Sequence, residues 1–582
     1  MPRDVANGMT PMILMILRWI FIKLYLNTKF GIASTVSVED YVNCHVSCTD
    51  YVSISEIALV CQIYVIHLTR HHTLLIFLHT GIPYHGPGKY RRGRDGLRKR
   101  RRIDFMKLND PGWDSENGSA QHLLLGMVGA NGIHDVDFWA MICQRKKNRK
   151  NFFTPGRSKR GGCMLDLPEG VEFNADYVSK HGFDLPVLFA NESPSQLGLR
   201  VPSSEDINND VGTSCSSFGY ANIAKLVGPF RQVQVIDTAT QLTTECSLQE
   251  WVDYLETPPK ERCRTLNIIT LETSQTPLGK LVTEPQLARD LDFVKLHWPQ
   301  SLEDLRAPGN NGIDVDDESI EEELDEVLDT LKKEQPRVTK YCLMSAAGSY
   351  TDFHVDFGGT SVWYHVYFGT KIFYFIEPTP SNLKIYSEWA TNSSGKNGNN
   401  RYVFLPDLIV SAGGKVFEVT LKKGQTLFIA SGWIHAVYTP KDSLVFGGNF
   451  LHRHSLEMQL RIYKLERKMK VGADYRFPNY QKLMWYVARD FLMECTKLLQ
   501  QRHQEGPSEY HSTDGSGDLE QRQLLREAYS PRILRGYNAL AKELGRWSRS
   551  KTKRIVEQFP EHMDVVTVAN ELGRMMNLCS LS

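Results

Sequence analysis

A histidine and a carboxylate two residues apart, His354 and Asp356, together with a later histidine, His435, form the pattern in this chain most able to do chemistry. Two imidazoles and one carboxylate on one side of an ion are the ligand set of non-haem iron(II) oxygenases, which leaves positions open for a co-substrate and dioxygen. In extended chain, residues i and i+2 point to the same face, so TDFHVDF at 351–357 can offer both groups to one ion. His435 lies in SGWIHAV, after a Gly-Trp turn and at the start of another apolar run, where a sheet can hold it against the same ion. A histidine met singly is more often a satisfied core or surface residue, and an HxD pair is common. The third ligand, set among short β-rich runs, is what gives the pattern weight.

Iron that activates oxygen needs electrons, and a keto acid commonly supplies them. Its carboxylate calls for a cation and a hydroxyl in a place that excludes water. Lys371 begins the run after VYFGT, Thr351 lies just before His354, and Tyr364 and Asn267 are further hydrogen-bonding candidates. Read without context, Lys371 is an ordinary turn lysine.

The elements that must position these groups are legible in outline. Between 338 and 455 the runs KYCLMSA, VWYHVYF, KIFYFIE, KVFEVTL, QTLFIA, IHAVYT and SLVFGGNF alternate with GT, KKG, SGW and TPKD. Short strands joined by tight turns predict a barrel or sandwich rather than a doubly wound sheet. Upstream, 166–300 reads as an α/β part, with strands in LPVLF, QVQVIDT and LNIITLE. Its helix in SLQEWVDYLET is capped by Ser247 and carries Leu248, Trp251, Val252 and Leu255 on one face. Residues 301–337 read as an acidic surface insertion, since 314–329 hold ten acids and no base. Residues 456–582 have helical periodicity with a polar break near 503–518, and their apolar stripes are packing faces.

The chain has 582 residues, with 68 basic and 67 acidic side chains, so it is neither a polycation nor an acidic chaperone. Charge is instead concentrated. KYRRGRDGLRKRRR at 89–102, followed by RKKNRK at 145–150 and RSKR at 157–160, reads as solvated chain, a nuclear-import signal or a DNA phosphate contact. Eleven cysteines without a CxxC pair suit a reducing compartment. Residues 1–110 run apolar then basic; Cys44, Cys48 and Cys61 are too few for a cross-braced zinc finger. The run 11–22 is interrupted by Arg18 and too short to span a bilayer, so membrane association is not expected. Residues 111–165, broken by PG, NG and GG, read as a basic linker.

From about 166 to the C-terminus the sequence resembles the Jumonji-C (JmjC) histone lysine demethylases, most closely the lysine demethylase 7 group with its linked PHD finger. The likeness rests on KYCLM at 340–344, SYTDFHVDFGGTSVWYHV at 349–366, TLFIASGWIHAV at 426–437 and FGGNFLH at 446–452. Beyond the barrel it continues in EMQLRIYKLERKM at 457–469 and YRFPNYQKLMWYV at 475–487, and upstream in VQVIDTATQ and LNIITLE. The resemblance implies a mixed α/β fold: a double-stranded β-helix, the cupin or jelly-roll-like JmjC barrel, with flanking helices and a C-terminal helical domain. The JmjC domain as a whole would span about 302–458. It further implies Fe(II) held by His354, Asp356 and His435, and 2-oxoglutarate held by Thr351 and Lys371 with Asn267 and Tyr364 nearby.

The implied activity is a dioxygenase that removes mono- and dimethyl marks from histone H3 tails, at the ninth or twenty-seventh lysine. N-methyl hydroxylation would release formaldehyde, in the service of chromatin and transcription regulation in the nucleus. The implied partners are the H3 tail and the nucleosome, with DNA phosphate reached through 89–102 and 145–160. A JmjC hydroxylase of other proteins and an inactive chromatin-binding scaffold are the alternatives. Two departures stand out: IASGW at 429–433 replaces the family's IPTGW, and no intact PHD finger precedes the basic run. HGPGKYRR at 85–92 is similar to the stretch that follows such a finger, so residues 1–84 read as a degenerate or misjoined segment in its place.

Overall fold

The computed structural model describes residues 138–149, 152–156, 162–165, 167, 171–208, 217–238, 243–305, 318–392, 403–505 and 516–580. The N-terminal apolar run, the three cysteines and the basic tracts at 89–102 and 157–160 lie outside these residues. No helix of the described residues is long and apolar enough to cross a membrane.

Eleven strands form the sheet system: β1 (Phe153–Pro155), β2 (Val187–Phe189), β3 (Gln232–Asp237), β4 (Thr243–Ser247), β5 (Leu266–Glu272), β6 (Tyr341–Ser345), β7 (Tyr350–His354), β8 (Ser361–Ile376), β9 (Val416–Lys422), β10 (Thr426–Ile429) and β11 (Ile434–Phe450). Every pairing is antiparallel except β1 with β9. The architecture turns on β8 and β11, which pair with each other along most of their length. Their one half joins β6, β5, β3 and β4 on one side and β10 and β2 on the other. Their other half joins β7, β9 and β1. Two sheets that share two bent strands enclose a jelly-roll-like barrel, as the sequence predicts.

That bend corrects the reading of two turns. VYFGT and TPKD do not end strands: β8 runs through Gly369 and Thr370, and β11 runs through residues 439–442. The two places face each other, with Thr370 opposite Lys441, and the register shifts on both sides of that pair. Bulges bend a strand without breaking it, so turn-like residues here mark the corner where both strands pass from one sheet to the other. Gly369 makes this possible with φ of +91°, since a Cβ there would lie 2.4 Å from the Asp442 carbonyl oxygen.

The stretch read as a basic linker also holds structure. Helix α1 (Phe138–Asn148) buries Phe138 and Ile142, with Phe138 stacked on Tyr350 and Trp139 stacked on Tyr438, and β1 follows it. Arg145 pairs with Asp407 at 2.6 Å and Lys146 with Glu418 at 2.5 Å, so two members of the RKKNRK cluster are engaged within the fold. Helix α2 (Leu248–Glu256) has the expected cap: Ser247 Oγ accepts from the Glu250 amide, Glu250 answers in a capping box, and the four apolar residues are buried. Helix α3 (Glu318–Glu334) takes up much of the acidic stretch and inserts Leu324, Leu328 and Leu331 into the core.

Beyond the barrel, α4 (Leu456–Met469), α5 (Tyr480–Glu505), α6 (Ser516–Ala528), α7 (Pro531–Trp547) and α8 (Val565–Ser580) build a helical domain. Its core holds Trp485, Tyr486, Phe491, Tyr537 and Trp547, with Phe491 and Tyr537 stacked at 3.5 Å. Such aromatic burial on facing helices supplies most of its cohesion.

Candidate metal centre and co-substrate site

His354 closes β7, Asp356 follows it in the loop before β8, and His435 enters β11. Because β7 pairs with β11, His354 and His435 are direct cross-strand partners, and their rings lie 4.3 Å apart. One ligand atom from each of His354, Asp356 and His435 lies within 4.8 Å of the other two. The His435 Nε2 to Asp356 Oδ2 separation is 3.9 Å. All three candidates from the sequence are therefore together.

Each imidazole is held in one tautomer. His354 Nδ1–H donates to the Asp352 carbonyl at 2.8 Å, and His435 Nδ1–H donates to the Trp433 carbonyl at 3.1 Å. Both Nε2 lone pairs are thereby free to bind a metal, the arrangement seen wherever a second partner orients a ligating histidine. Burial pushes both histidines down to about 4, and for His354 the adjacent His435 adds to the effect, so both are neutral ligands at physiological pH. Burial pushes Asp356 up to about 6, against the pull of His354 and of a hydrogen bond from the Asn449 side chain. A carboxylate made costly in this way is one that gains from a nearby cation. Asp356 keeps 19% of its side chain exposed, so the cluster has an open side.

The loop carrying Asp356 is fastened from below. Gly358 and Gly359 have φ of +61° and +68°, and a Cβ on either would come within 2.9 Å of Phe477 or Gln459 in the helical domain. Gly358 N–H donates to Glu466 Oε1 on α4 at 2.7 Å. Ser431, in the IASGW departure, donates its hydroxyl to the Gly359 carbonyl at 2.6 Å. The changed residue thus ties the turn before His435 to the loop after Asp356.

Deeper in the barrel lie the four residues proposed for the keto acid. Lys371 is buried; its Nζ donates to Ser345 Oγ at 2.7 Å and to Thr439 Oγ1 at 2.9 Å. It sits in mid-strand rather than after a turn, and Lys371, Phe373 and Phe375 alternate onto the face that carries His435, Val437 and Thr439. Burial pushes its ammonium down to about 7, and among the described residues no carboxylate pairs with it. Asn267 Nδ2 donates to Thr351 Oγ1 at 3.4 Å, while Asn267 Oδ1 is buried without a partner. Tyr364 packs edge-on against Phe373 at 5.2 Å, and burial raises its phenol. A buried cation without an anion, with hydroxyls beside it, is a donor set that suits a small carboxylate.

Sequence reasoning missed Asn449, Ser345 and Thr439. Asn449 donates from Nδ2 to Thr360 Oγ1 at 2.8 Å as well as supporting Asp356. A polar residue inside the apolar run 444–451 was the available signal for Asn449, and the alternation His435, Val437, Thr439 was the one for Thr439.

Barrel, donor set and buried lysine together fit the JmjC hydroxylases that the sequence resembles. The family described as "JmjC domain, hydroxylase" matches residues 341–450, and the Jumonji helical domain matches 454–512. Both domains of JmjC proteins are thus matched within residues 341–512 of this chain. It is 39% identical over 335 residues to lysine-specific demethylase 2A of Xenopus tropicalis, covering 58% of this chain and 26% of that relative. Lysine-specific demethylase 7B of Danio rerio is 32% identical over 405 residues, covering 69% of this chain and 56% of its own length. Histone lysine demethylase PHF8 of Danio rerio is 36% identical over 329 residues, covering 56% of this chain and 27% of its own. The chain thus spans between about a quarter and just over half the length of these relatives, and the resemblance read from the motifs, to lysine demethylases of this kind, is borne out.

Proposed function

We propose that this chain is an Fe(II)- and 2-oxoglutarate-dependent demethylase of histone lysines, acting in the nucleus on the H3 tail of nucleosomes. The observation that carries the proposal is the pairing of two sites in one barrel: His354, Asp356 and His435 with their donor atoms converging, and an anion-seeking Lys371 on the same interior face. His354 Nε2, His435 Nε2 and an Asp356 oxygen would hold iron on one side. Lys371 and Thr351 would take the distal carboxylate of 2-oxoglutarate, with Asn267 and Tyr364 orienting it. Iron with 2-oxoglutarate supplies oxygen activation, which converts an N-methyl group to a hemiaminal that releases formaldehyde.

The protein's own part is to orient and to exclude water. Phe373 and Phe375 flank His435 at 6.0 and 5.8 Å and surround it with buried apolar side chains. The backbone carbonyls of Asp352 and Trp433 keep both imidazoles aligned, and Asn449 holds Asp356. The substrates proposed are mono- and dimethylated lysines at the ninth and twenty-seventh positions of H3, and the basic tracts at 89–102 and 145–160, apart from the paired Arg145 and Lys146, would contact DNA phosphate.

Mass spectrometry of a panel of methylated H3 and H4 peptides, incubated with the full chain, Fe(II) and 2-oxoglutarate, tests this. A loss of roughly 14 mass units per methyl group, with formaldehyde released and both abolished in His354→Ala, is expected. A gain of roughly 16 units with the methyl groups retained would instead establish a hydroxylase. Metal binding without turnover of any peptide would favour the scaffold.

A further inference from the structure

The helical domain holds a second concave site that the chemistry above does not use. The last turns of α4, the segment 473–481 and a one-turn helix, Lys553–Val556, enclose a cleft of about 210 Å³. Three arginines from separate segments line it: Arg467, Arg476 and Arg554. Arg467 donates to the Tyr463 hydroxyl at 2.9 Å and Arg476 Nε to the Gly472 carbonyl at 3.3 Å. Among the described residues no carboxylate pairs with any of the three.

Two buried groups on the cleft wall lack partners. Glu466 and Tyr480 are each only 4% exposed, and Glu466 Oε2 and the Tyr480 hydroxyl make no hydrogen bond. Burial pushes Glu466 up to about 8, so near neutral pH it is largely uncharged and does not repel an anion in the cleft. Three guanidinium groups without an acid partner form a lining that suits a phosphate oxyanion. The cationic character continues past the cleft. Lys468 and Lys470 follow from α4, and RWSRSKTKR at 546–554 adds exposed Arg549, Lys551 and Lys553 with no acid among them. Asp474 is the one acid within 467–476, and partial burial raises its carboxyl.

We propose that this cleft seats a backbone phosphate of double-stranded DNA, with the surrounding lysines and arginines reaching adjacent phosphates. A donor-lined pocket fits one phosphate, and a cationic rim extending beyond it suits a polyanion rather than a free ion. The aromatic side chains here are packed into the protein, so contact would be with backbone and independent of base sequence. This inference does not rest on the demethylase reading and can fail or stand separately from it.

The test is binding of the full chain to a labelled mixed-sequence duplex as salt is varied. Combining Arg467→Ala, Arg476→Ala and Arg554→Ala removes the cleft's one phosphate contact and lowers the salt slope by about 0.9. Native protein then loses about 3.5-fold more affinity than the variant between about 50 and 200 mM salt. Arg461→Ala, Arg535→Ala and Arg574→Ala, three surface arginines outside the cleft, make the charge-matched control and should change the slope less. A second variant, Arg476→Glu with Arg554→Glu, spares the Arg467–Tyr463 contact and should retain the native melting temperature while losing DNA. Equal slopes for cleft and control variants would overturn the proposal. So would native DNA binding by the folded double variant, or inorganic phosphate binding lost in the cleft variant while duplex binding stays intact.

Discussion

Replacing Lys371 by methionine should make the protein more stable and unable to hold its co-substrate. The lysine is buried, hydrogen-bonded only to the Ser345 and Thr439 hydroxyls, and pushed from 10.5 to about 7. A depression of that size corresponds to roughly 5 kcal/mol of cost for carrying the charge in the folded state, taken as an upper bound. The folded chain binds fewer protons than the unfolded one between pH 7 and 10.5. The cost is therefore complete below about 7 and fades as pH rises toward 10.5. Methionine keeps the length and removes the charge, but it leaves two hydroxyls without a donor, about 1–2 kcal/mol each because a hydroxyl can turn toward another partner. The net expectation is a gain of roughly 1–3 kcal/mol at pH 7, with one proton's worth of pH dependence missing between pH 7 and 10. Affinity for 2-oxoglutarate should fall by two to three orders of magnitude, since removing one partner of a buried ion pair costs about 3–5 kcal/mol. Chemical denaturation across that pH range and calorimetric titration of 2-oxoglutarate, with Mn(II) as a redox-silent metal, measure both. A variant that is less stable, keeps the native pH slope and binds 2-oxoglutarate within threefold of native would refute the assignment of Lys371 as an anion-seeking cation.

Asn449→Ala removes the amide that supports Asp356, and metal affinity should drop about 10- to 100-fold while the melting temperature without metal changes little; competition with a chelator reads this. Gly359→Ala places a methyl group 2.9 Å from the Gln459 backbone at φ of +68°, so a loss of about 2–4 kcal/mol is expected by urea denaturation, accompanied by weaker metal binding because the same loop carries Asp356. Arg262→Ala breaks the paired contact at 2.7 Å with Asp442, which also accepts the Ala347 amide, and should cost roughly 1.5–3 kcal/mol. Asp442 is held below its usual 3.8 by Arg262 and the Ala347 amide against its own burial, so that stability is present above pH 4 and lost as acid protonates the carboxylate. The variant should show a flatter acid limb.

The chemistry of the site was written in residue types: HxD in extended chain, a histidine after Gly-Trp, and strand-like runs on either side of both. Those are local signals, because a two-residue period and a capped amphipathic stripe need no distant partner to be seen. The Ser247 cap and the α2 face were readable for the same reason. What the chain alone did not show were the properties created by distant contacts. VYFGT and TPKD carry turn residues, yet each lies inside a long strand, since the opposing bulges of β8 and β11 let both bend together at one corner. Lys371 looked like a turn lysine and proved to be a buried cation, because that same continuity carries it into the barrel interior opposite Thr439. Helix α1 was hidden in a polar stretch, its stability coming from Tyr350 and Tyr438 far along the chain. The arginine cleft is the extreme case: Arg467, Arg476 and Arg554 share no local pattern, and only the packing of the helical domain brings them to one place. Ligand identity was local, whereas charge state, tautomer and convergence depend on burial and on neighbours that tertiary structure alone supplies.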